Sequence, residues 1–205
     1  MMAWPRGHAL PPMVTIQSGD ALLIVDIQKD FLPGGGLAVS CGNDVLPVLL
    51  SCISKFESRG LSIFATRDWH PPNHCSFREQ GGVWPIHCVA DSPGAEPPSS
   101  FRLPSSVVIV TKGIAPDTEG YSGFQGTTLN TQLKEAGVRR LFVGGLATDF
   151  CVLNTVKDAL DLGYQVYLLS DAIRAVNLQP NDSSKAIEAM LQRGAILIQS
   201  SQVAN

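Results

Sequence analysis

No run of apolar residues in this 205-residue chain is long enough to cross a bilayer, so a membrane role is not expected. The opening stretch, MMAWPRGHALPPMVTIQSGD, has three prolines and no continuous apolar segment, and does not read as a secretion signal. Residues 1–18 are expected to be a short N-terminal extension and 19–205 a single domain, with the cytoplasm as the expected compartment. Charge is sparse and nearly balanced, 15 basic against 18 acidic residues for a net −3, with no basic block or stripe. That removes the electrostatic footprint of a nucleic-acid binder. The 5 cysteines are odd in number and scattered, which argues against a disulfide framework. No internal repeat is visible. The length suits one α/β domain with a full-sized core.

What the chain has is alternation. ALLIVDI (21–27) is a continuous apolar run ending in an acid, the pattern of a strand buried on both faces. DVLPVLLSCISKFESRG (44–60) has helical periodicity and a terminal glycine. LSIFATRD (61–68) and SVVIVTKG (106–113) read as strands, and TTLNTQLKEAGV (127–138) as an amphipathic helix. RRLFVGGLA (139–147) is a strand running into a glycine corner. TDFCVLNTVKDALDLG (148–163) is a helix with Thr148 or Asp149 as its N-cap. YQVYLLSDA (164–172), DSSKAIEAMLQRG (182–194) and AILIQ (195–199) complete the series as strand, helix and strand. Such alternation predicts a mostly parallel sheet with helices on both faces. The exception is 69–105, rich in Pro, Gly and Ser, and a loop of that length in a domain is usually functional.

In open α/β sheets, ligands bind beyond the carboxyl ends of the strands. Four successive corners put ionisable groups there: Asp26, then Asp68 and His70, then Lys112, then Cys151. Taken singly each has an ordinary explanation. Asp26 could be a cap or an ion pair, Lys112 solvated, Cys151 a small buried residue. Their common edge favours chemistry. A thiol in the first turn of a helix faces N–H donors and the positive end of the dipole, which stabilise thiolate. Lys112 nearby would lower its pKa further, and Asp26 could take its proton. The same turn offers N–H groups to a developing oxyanion.

These residues lie within a wider pattern. LLIVDIQKDFLPGGGLAV, ATRDWHPPNHCSF, WPIHCV, SPGAE, TKG, YSGF and GGLATDFCVLNTVKDAL occur in that order from about residue 19. With them the chain resembles the nicotinamidases of the isochorismatase-like cysteine hydrolase superfamily. The resemblance implies a Rossmann-like three-layer α/β/α domain and a catalytic triad of Asp26, Lys112 and Cys151. It implies metal ligation by Asp68, His70 and His87, and a cis peptide at Leu146–Ala147. It also implies an oxyanion hole made by the N–H groups of Ala147 and Cys151. The expected reaction is hydrolysis of nicotinamide, or pyrazinamide-like analogues, to the acid and ammonia through a thioester.

The spacing suits the implied metal set. Asp68 and His70 are two apart, so in extended chain they point to one side, and His87 can close the set from another loop. One carboxylate and two imidazoles leave positions open for a substrate or water. The expected cofactor is one divalent ion, zinc first, iron or manganese next. A structural zinc site using Cys75 or Cys88 is the rival, but neither lies in a C-x-x-C pair. His74 could ligate, hydrogen bond to a ligand's surroundings, or fix the loop; the second role is preferred. Phe31 and Trp84 could sandwich a flat ring or simply anchor loops, and Tyr121 could line the pocket or meet a neighbouring subunit. Asp30 is expected to support the loop. The expected partner is a small-molecule substrate, with the protein a monomer or homo-oligomer. The alternatives are an isochorismatase or N-carbamoyl amidohydrolase without metal, and a catalytically silent binding protein.

Overall fold

Apolar stretches of four to eight residues become the strands of one sheet because their side chains can be buried on both faces. The computed structural model describes residues 13–205. In chain order the strands are β1 (Val14–Thr15), β2 (Asp20–Val25), β3 (Ser62–Asp68), β4 (Val108–Lys112), β5 (Arg140–Leu146), β6 (Gln165–Arg174), β7 (Ile196–Ile198) and β8 (Val203–Ala204). The α-helices are α1 (Val45–Ser58), α2 (Leu129–Glu135), α3 (Leu153–Asp161) and α4 (Asp182–Gln192). Six strands form a parallel sheet in the order β4-β3-β2-β5-β6-β7. The chain runs outward from β2 to β4, then returns to lay β5 beside β2, so direction reverses between them. A crevice opens at the carboxyl ends of the strands at such a reversal.

The two faces carry separate cores. Leu22, Ile24, Ile63, Ala65 and Phe142 pack under α1, against Leu49, Ile53 and Phe56. Ala21, Leu23, Val25, Phe64, Leu141 and Val143 pack under α2, α3 and α4, against Leu129, Leu133, Val156 and Met190. This is the three-layer α/β/α arrangement the alternation predicts. Among the described residues no helix is long and apolar enough to cross a membrane.

Within the expected extension, Val14 and Thr15 pair with Val203 and Ala204, and Ile16 is fully buried in the α1-side core. Residues 1–12 of the expected extension lie outside the described residues. The helix expected over 148–163 is a π-helical turn, Thr148–Val152, leading into α3. Neither Thr148 nor Asp149 caps it, since Ala147 holds the N-cap position. The Asp149 carboxylate accepts instead from the backbone N–H groups of Val176 and Asn177, at 3.0 and 2.8 Å.

Gly145, in β5, sits where the sheet's direction reverses. Its φ is +133°, and a Cβ there would lie 2.0 Å from the Val25 carbonyl oxygen. Neither backbone strand can yield without breaking the ladder. Gly145→Ala is expected to lose at least about 3 kcal/mol, through both strain and overlap. Gly144→Ala, whose Cβ would press mainly on side chains at 2.9–3.0 Å, is expected to lose less. Urea unfolding of the two variants tests the order.

Candidate active site

The crevice collects one residue from each of four adjacent strand ends, those of β4, β3, β2 and β5. β3 and β4 are in register so that Asp68 lies beside Lys112. Asp26 follows β2 with φ +50°, a left-handed conformation that turns the chain off the strand line. Its N–H donates to the Thr66 carbonyl at 3.3 Å, and the Thr66 hydroxyl donates to Asp26 Oδ1 at 2.6 Å. Cys151 enters from the π-helical turn after β5, beyond the cis peptide bond Leu146–Ala147.

Lys112 is at the centre. Its Nζ lies 2.8 Å from Asp26 Oδ2, 2.5 Å from Asp68 Oδ1, 2.9 Å from the Gly120 carbonyl and 3.4 Å from Cys151 Sγ. The Asp26 contact is an ion pair without hydrogen-bond alignment, and the same carboxylate lies within 4.8 Å of the thiol. Expected triad residues Asp26, Lys112 and Cys151 thus meet, all buried.

Burial decides the electrostatics. It penalises the Lys112 charge, but Asp26 and Asp68 outweigh it and hold the ammonium well above its ordinary range. For Asp68, burial works against the charged form, while Lys112 and His70 reverse the balance and keep the carboxyl below the usual carboxylate range. Asp26 goes up: burial, with Asp68 nearby, exceeds the pull of Lys112. Cys151 also goes up, well above an ordinary thiol, because burial and the two carboxylates exceed the effect of Lys112. This reverses the expectation of a thiol lowered by the helix start and Lys112. The site thus sets a thiol beside a carboxyl group, both with raised proton affinity.

The second grouping of ligand atoms is Asp68, His70 and His87, also within 4.8 Å of one another. Its tautomers can be read. His70 Nδ1 lies 2.9 Å from the Gly113 carbonyl and His87 Nδ1 lies 2.8 Å from the Pro85 carbonyl. A carbonyl only accepts, so each Nδ1 carries the proton and each Nε2 presents a lone pair. Asp68 gives Oδ1 to Lys112 and keeps Oδ2, 3.6 Å from His70 Nε2. One oxygen and two nitrogens at this spacing suit one divalent ion with bonds of about 2.0–2.2 Å. The donor set therefore fits a metal. Gly113 makes the support possible: with φ +65°, its Cβ would lie 2.4 Å from His70 Cε1.

His74 has both nitrogens occupied. Nδ1 accepts from the Ser76 N–H at 3.3 Å and meets the Ser76 hydroxyl at 2.8 Å, while Nε2 faces the Thr118 carbonyl at 3.1 Å. Burial, with His70 beside it, pulls its pKa down to about 4. Its ring lies 4.0 Å from that of His70, but its hydrogen bonds go to Ser76 and Thr118, so the contacts are those of a loop-fixing residue and not of the preferred donor to Asp68, His70 or His87. Neither Cys75 nor Cys88 joins a ligand grouping among the described residues.

Both groupings open on one pocket, lined also by Phe31, Trp84, Tyr121 and Ala147. Trp84 Nε1–H donates to the Tyr121 hydroxyl at 2.8 Å, and burial pushes that phenol up to about 12. Trp84 meets the Phe150 ring edge-on at 4.7 Å, so the aromatic wall is braced from behind. Phe31 packs 5.6 Å from the His87 ring. Asp30 accepts from Gly36 and Cys88 N–H groups at 3.1 and 2.7 Å, tying its loop to the His87 loop. The sequence reading misses Phe150, Leu37 and Val176, along with Ser76, Glu119 and Gly120, which also line the pocket. Phe150 had a signal, standing next to the thiol; Val176 had none.

An isochorismatase domain is matched over residues 20–202. A nicotinamidase of Escherichia coli is 40% identical over 198 residues, covering 86% of this chain and 93% of that protein. The crystal structure of a pyrazinamidase of Pyrococcus horikoshii in complex with zinc is 48% identical, with a TM-score of 0.84, over 88% of this chain and 99% of that one. The structure of PnC1 from L. infantum in complex with nicotinate is 37% identical, with a TM-score of 0.86, over 93% and 98%.

Replacing Lys112 by Met leaves Asp26 and Asp68 buried without the cation between them. Lys112→Met is expected to lose about 3–5 kcal/mol at neutral pH. A carboxyl whose pKa is raised in the folded state binds a proton there that the unfolded chain does not, so stability falls as pH rises through that interval. Asp26 is already raised and loses its counterweight in the variant. Urea midpoints from pH 8 to pH 5 should rise more for Lys112→Met than for the native protein.

Proposed function

The chain belongs to the isochorismatase family, and we propose that it is a metal-dependent nicotinamidase working through a cysteine thioester. The observation that carries this reading is that the Asp26–Lys112–Cys151 cluster and the Asp68–His70–His87 cluster share one aromatic-walled pocket, joined by the Lys112–Asp68 ion pair. A hydrolase of this family that needed only the thiol would have no use for the second cluster. Relatives with the names nicotinamidase and pyrazinamidase, one of them bound to zinc, support the same substrate class.

Asp68, His70 and His87 would hold one divalent ion, zinc first. When bound, the ion supplies an electrophilic anchor for a ring nitrogen such as that of pyridine. Phe31 and Trp84 flank the ring, with Tyr121 fixing the indole. Asp26 accepts the Cys151 proton, and sulfur attacks the carboxamide carbon. The N–H groups of Ala147 and Cys151 stabilise the oxyanion. As the C–N bond breaks, protonated Asp26 gives its proton to nitrogen and ammonia leaves. The thioester that remains is attacked by water, which gives a proton to Asp26. The C–S bond breaks, the acid departs, and the Asp26 proton returns to sulfur. Lys112 keeps its charge throughout and balances whichever of Asp26 and Cys151 is anionic. The acid product would enter pyridine nucleotide salvage.

Ammonia release from nicotinamide tests the reading. Cys151→Ala should fold as the native protein does and lose at least about four orders of magnitude in turnover, since no other nucleophile stands beside Asp26. Mass spectrometry of the quenched native enzyme should show the nicotinoyl adduct on the Cys151 peptide. An adduct elsewhere, or an active Cys151→Ala enzyme, would sink the assignment.

Benzamide, which lacks the ring nitrogen, tests the second cluster. Its turnover should be poor and should change little on chelation. Nicotinamide turnover should fall on chelation by about 100-fold or more in kcat/KM, as expected when alignment is lost. Equal turnover of the two amides, or full nicotinamide activity in chelated protein, would rule out the anchoring role.

A further inference from the structure

Gln28 lies two residues beyond Asp26, is 1% exposed, and touches no part of the proposed reaction. Its side-chain amide is nonetheless saturated. Nε2 donates to the Asp68 carbonyl at 2.7 Å and to the Ala95 carbonyl at 2.8 Å, and Oε1 accepts from the Asp68 N–H at 2.8 Å. The orientation is unambiguous, because a flipped amide would set its oxygen against two carbonyls and its nitrogen against an N–H.

The reason for this arrangement lies in the sheet. β2 and β3 pair from Ala21–Ser62 to Ile24–Ala65, and the last backbone contact is Asp26 N–H to the Thr66 carbonyl. There Asp26 takes its left-handed conformation and β2 leaves the sheet. That turn leaves the next edge of β3 without a strand partner at Asp68, whose N–H and C=O both face the gap. An unpaired buried peptide is costly, so the gap has to be filled. The Gln28 amide fills it, presenting one acceptor and one donor as a further rung of the ladder would. Its second donor reaches Ala95, on the segment that follows the His87 loop.

We propose that Gln28 is a positioning residue for the metal site: its amide fixes the Asp68 peptide, and so aims the two carboxylate oxygens of Asp68, one at Lys112 and the other at the ion. The proposal rests on the reading of Asp68 as a metal ligand. It assigns Gln28 no contact with substrate or with the reacting atoms.

The test is cobalt(II) titration of the full-length protein after removal of bound metal, read by visible absorption at a temperature well below unfolding. Gln28→Met keeps the length of the side chain and removes the amide. It should weaken cobalt(II) binding by about 10-fold or more and change the ligand-field spectrum, as loss of a partner behind a ligand does. Ile63→Val, a core truncation near the other end of β3, should bind as the native protein does. Asp68→Asn should bind far more weakly than either. Cobalt(II) affinity and spectrum of Gln28→Met within about twofold of native, with Asp68→Asn impaired, would overturn the proposal and leave the metal site standing. Equal weakening in Ile63→Val would overturn it as well, since general loosening would then explain the effect. A native protein that binds no cobalt(II), or an Asp68→Asn variant that binds normally, would remove the ligand reading and the proposal together. Should Gln28→Met not fold, Gln28→Asn, whose amide is one methylene too short to span the gap, is read by the same criteria.

Discussion

A single ammonium group, buried among two carboxylates, a carbonyl and a thiol, holds the carboxyl edge of this sheet together. Desolvation alone would strip the proton from Lys112, and either carboxylate alone would be driven to protonate. Together they keep a stable charge balance among buried side chains. Coulomb attraction between ions a few ångströms apart is strong where the dielectric is low, and the desolvation it must offset is equally large. The balance explains why no member of the group can be exchanged without moving the others' proton affinities. It also explains how a thiol with raised proton affinity can still be nucleophilic. Its proton has somewhere to go, 4.8 Å away at most, and the resulting sulfur anion meets a cation already in place.

The sheet makes this crowding possible. Three neighbouring parallel strands deliver Asp26, Asp68 and Lys112 at one level, and β5 brings the fourth residue through a π-helical turn, wider than a regular helix start. Parallel neighbours in register place side chains from adjacent ends about one strand spacing apart, roughly 5 Å, which is ion-pair range once the side chains converge. Where the backbone must come closer than a Cβ allows, as at Gly113 against His70, glycine is present. The positive-φ turn at Asp26 serves the same end, aiming a carboxylate across the crevice instead of along the strand.

Much of this was legible from residue order. Strand runs such as ALLIVDI and the amphipathic stretch 182–194 carry their period in the sequence, whereas the strand order and its reversal beside β2 came only from the fold. That Asp26, Asp68, Lys112 and Cys151 share an edge follows from their places at strand ends. The β1–β8 pair was not legible, since two-residue strands have no period to detect. The direction of the Cys151 shift was misjudged because local cues favour thiolate, whereas burial is a property of the whole fold. Asp149 was misassigned for a related reason. Its carboxylate serves N–H groups 27 and 28 residues later, beyond the reach of any capping rule. The part played by Gln28 has no signal in the sequence, because the gap it fills in the ladder exists only in the fold.

The two oxygens of Asp68 also bear on how such a site can diverge. One belongs to the charge balance around Lys112, the other faces His70 and His87. A lineage that lost this grouping could replace His87 at little electrostatic cost, because its Nδ1 leans on a backbone carbonyl, whereas His70 also helps to hold the Asp68 charge. It could not discard Asp68 on the same terms, since Lys112 would lose a counter-ion beside the thiol. His87 is therefore the freest of the three and the aspartate the most constrained. Substrate choice can drift along this path while the hydrolytic machinery stays intact.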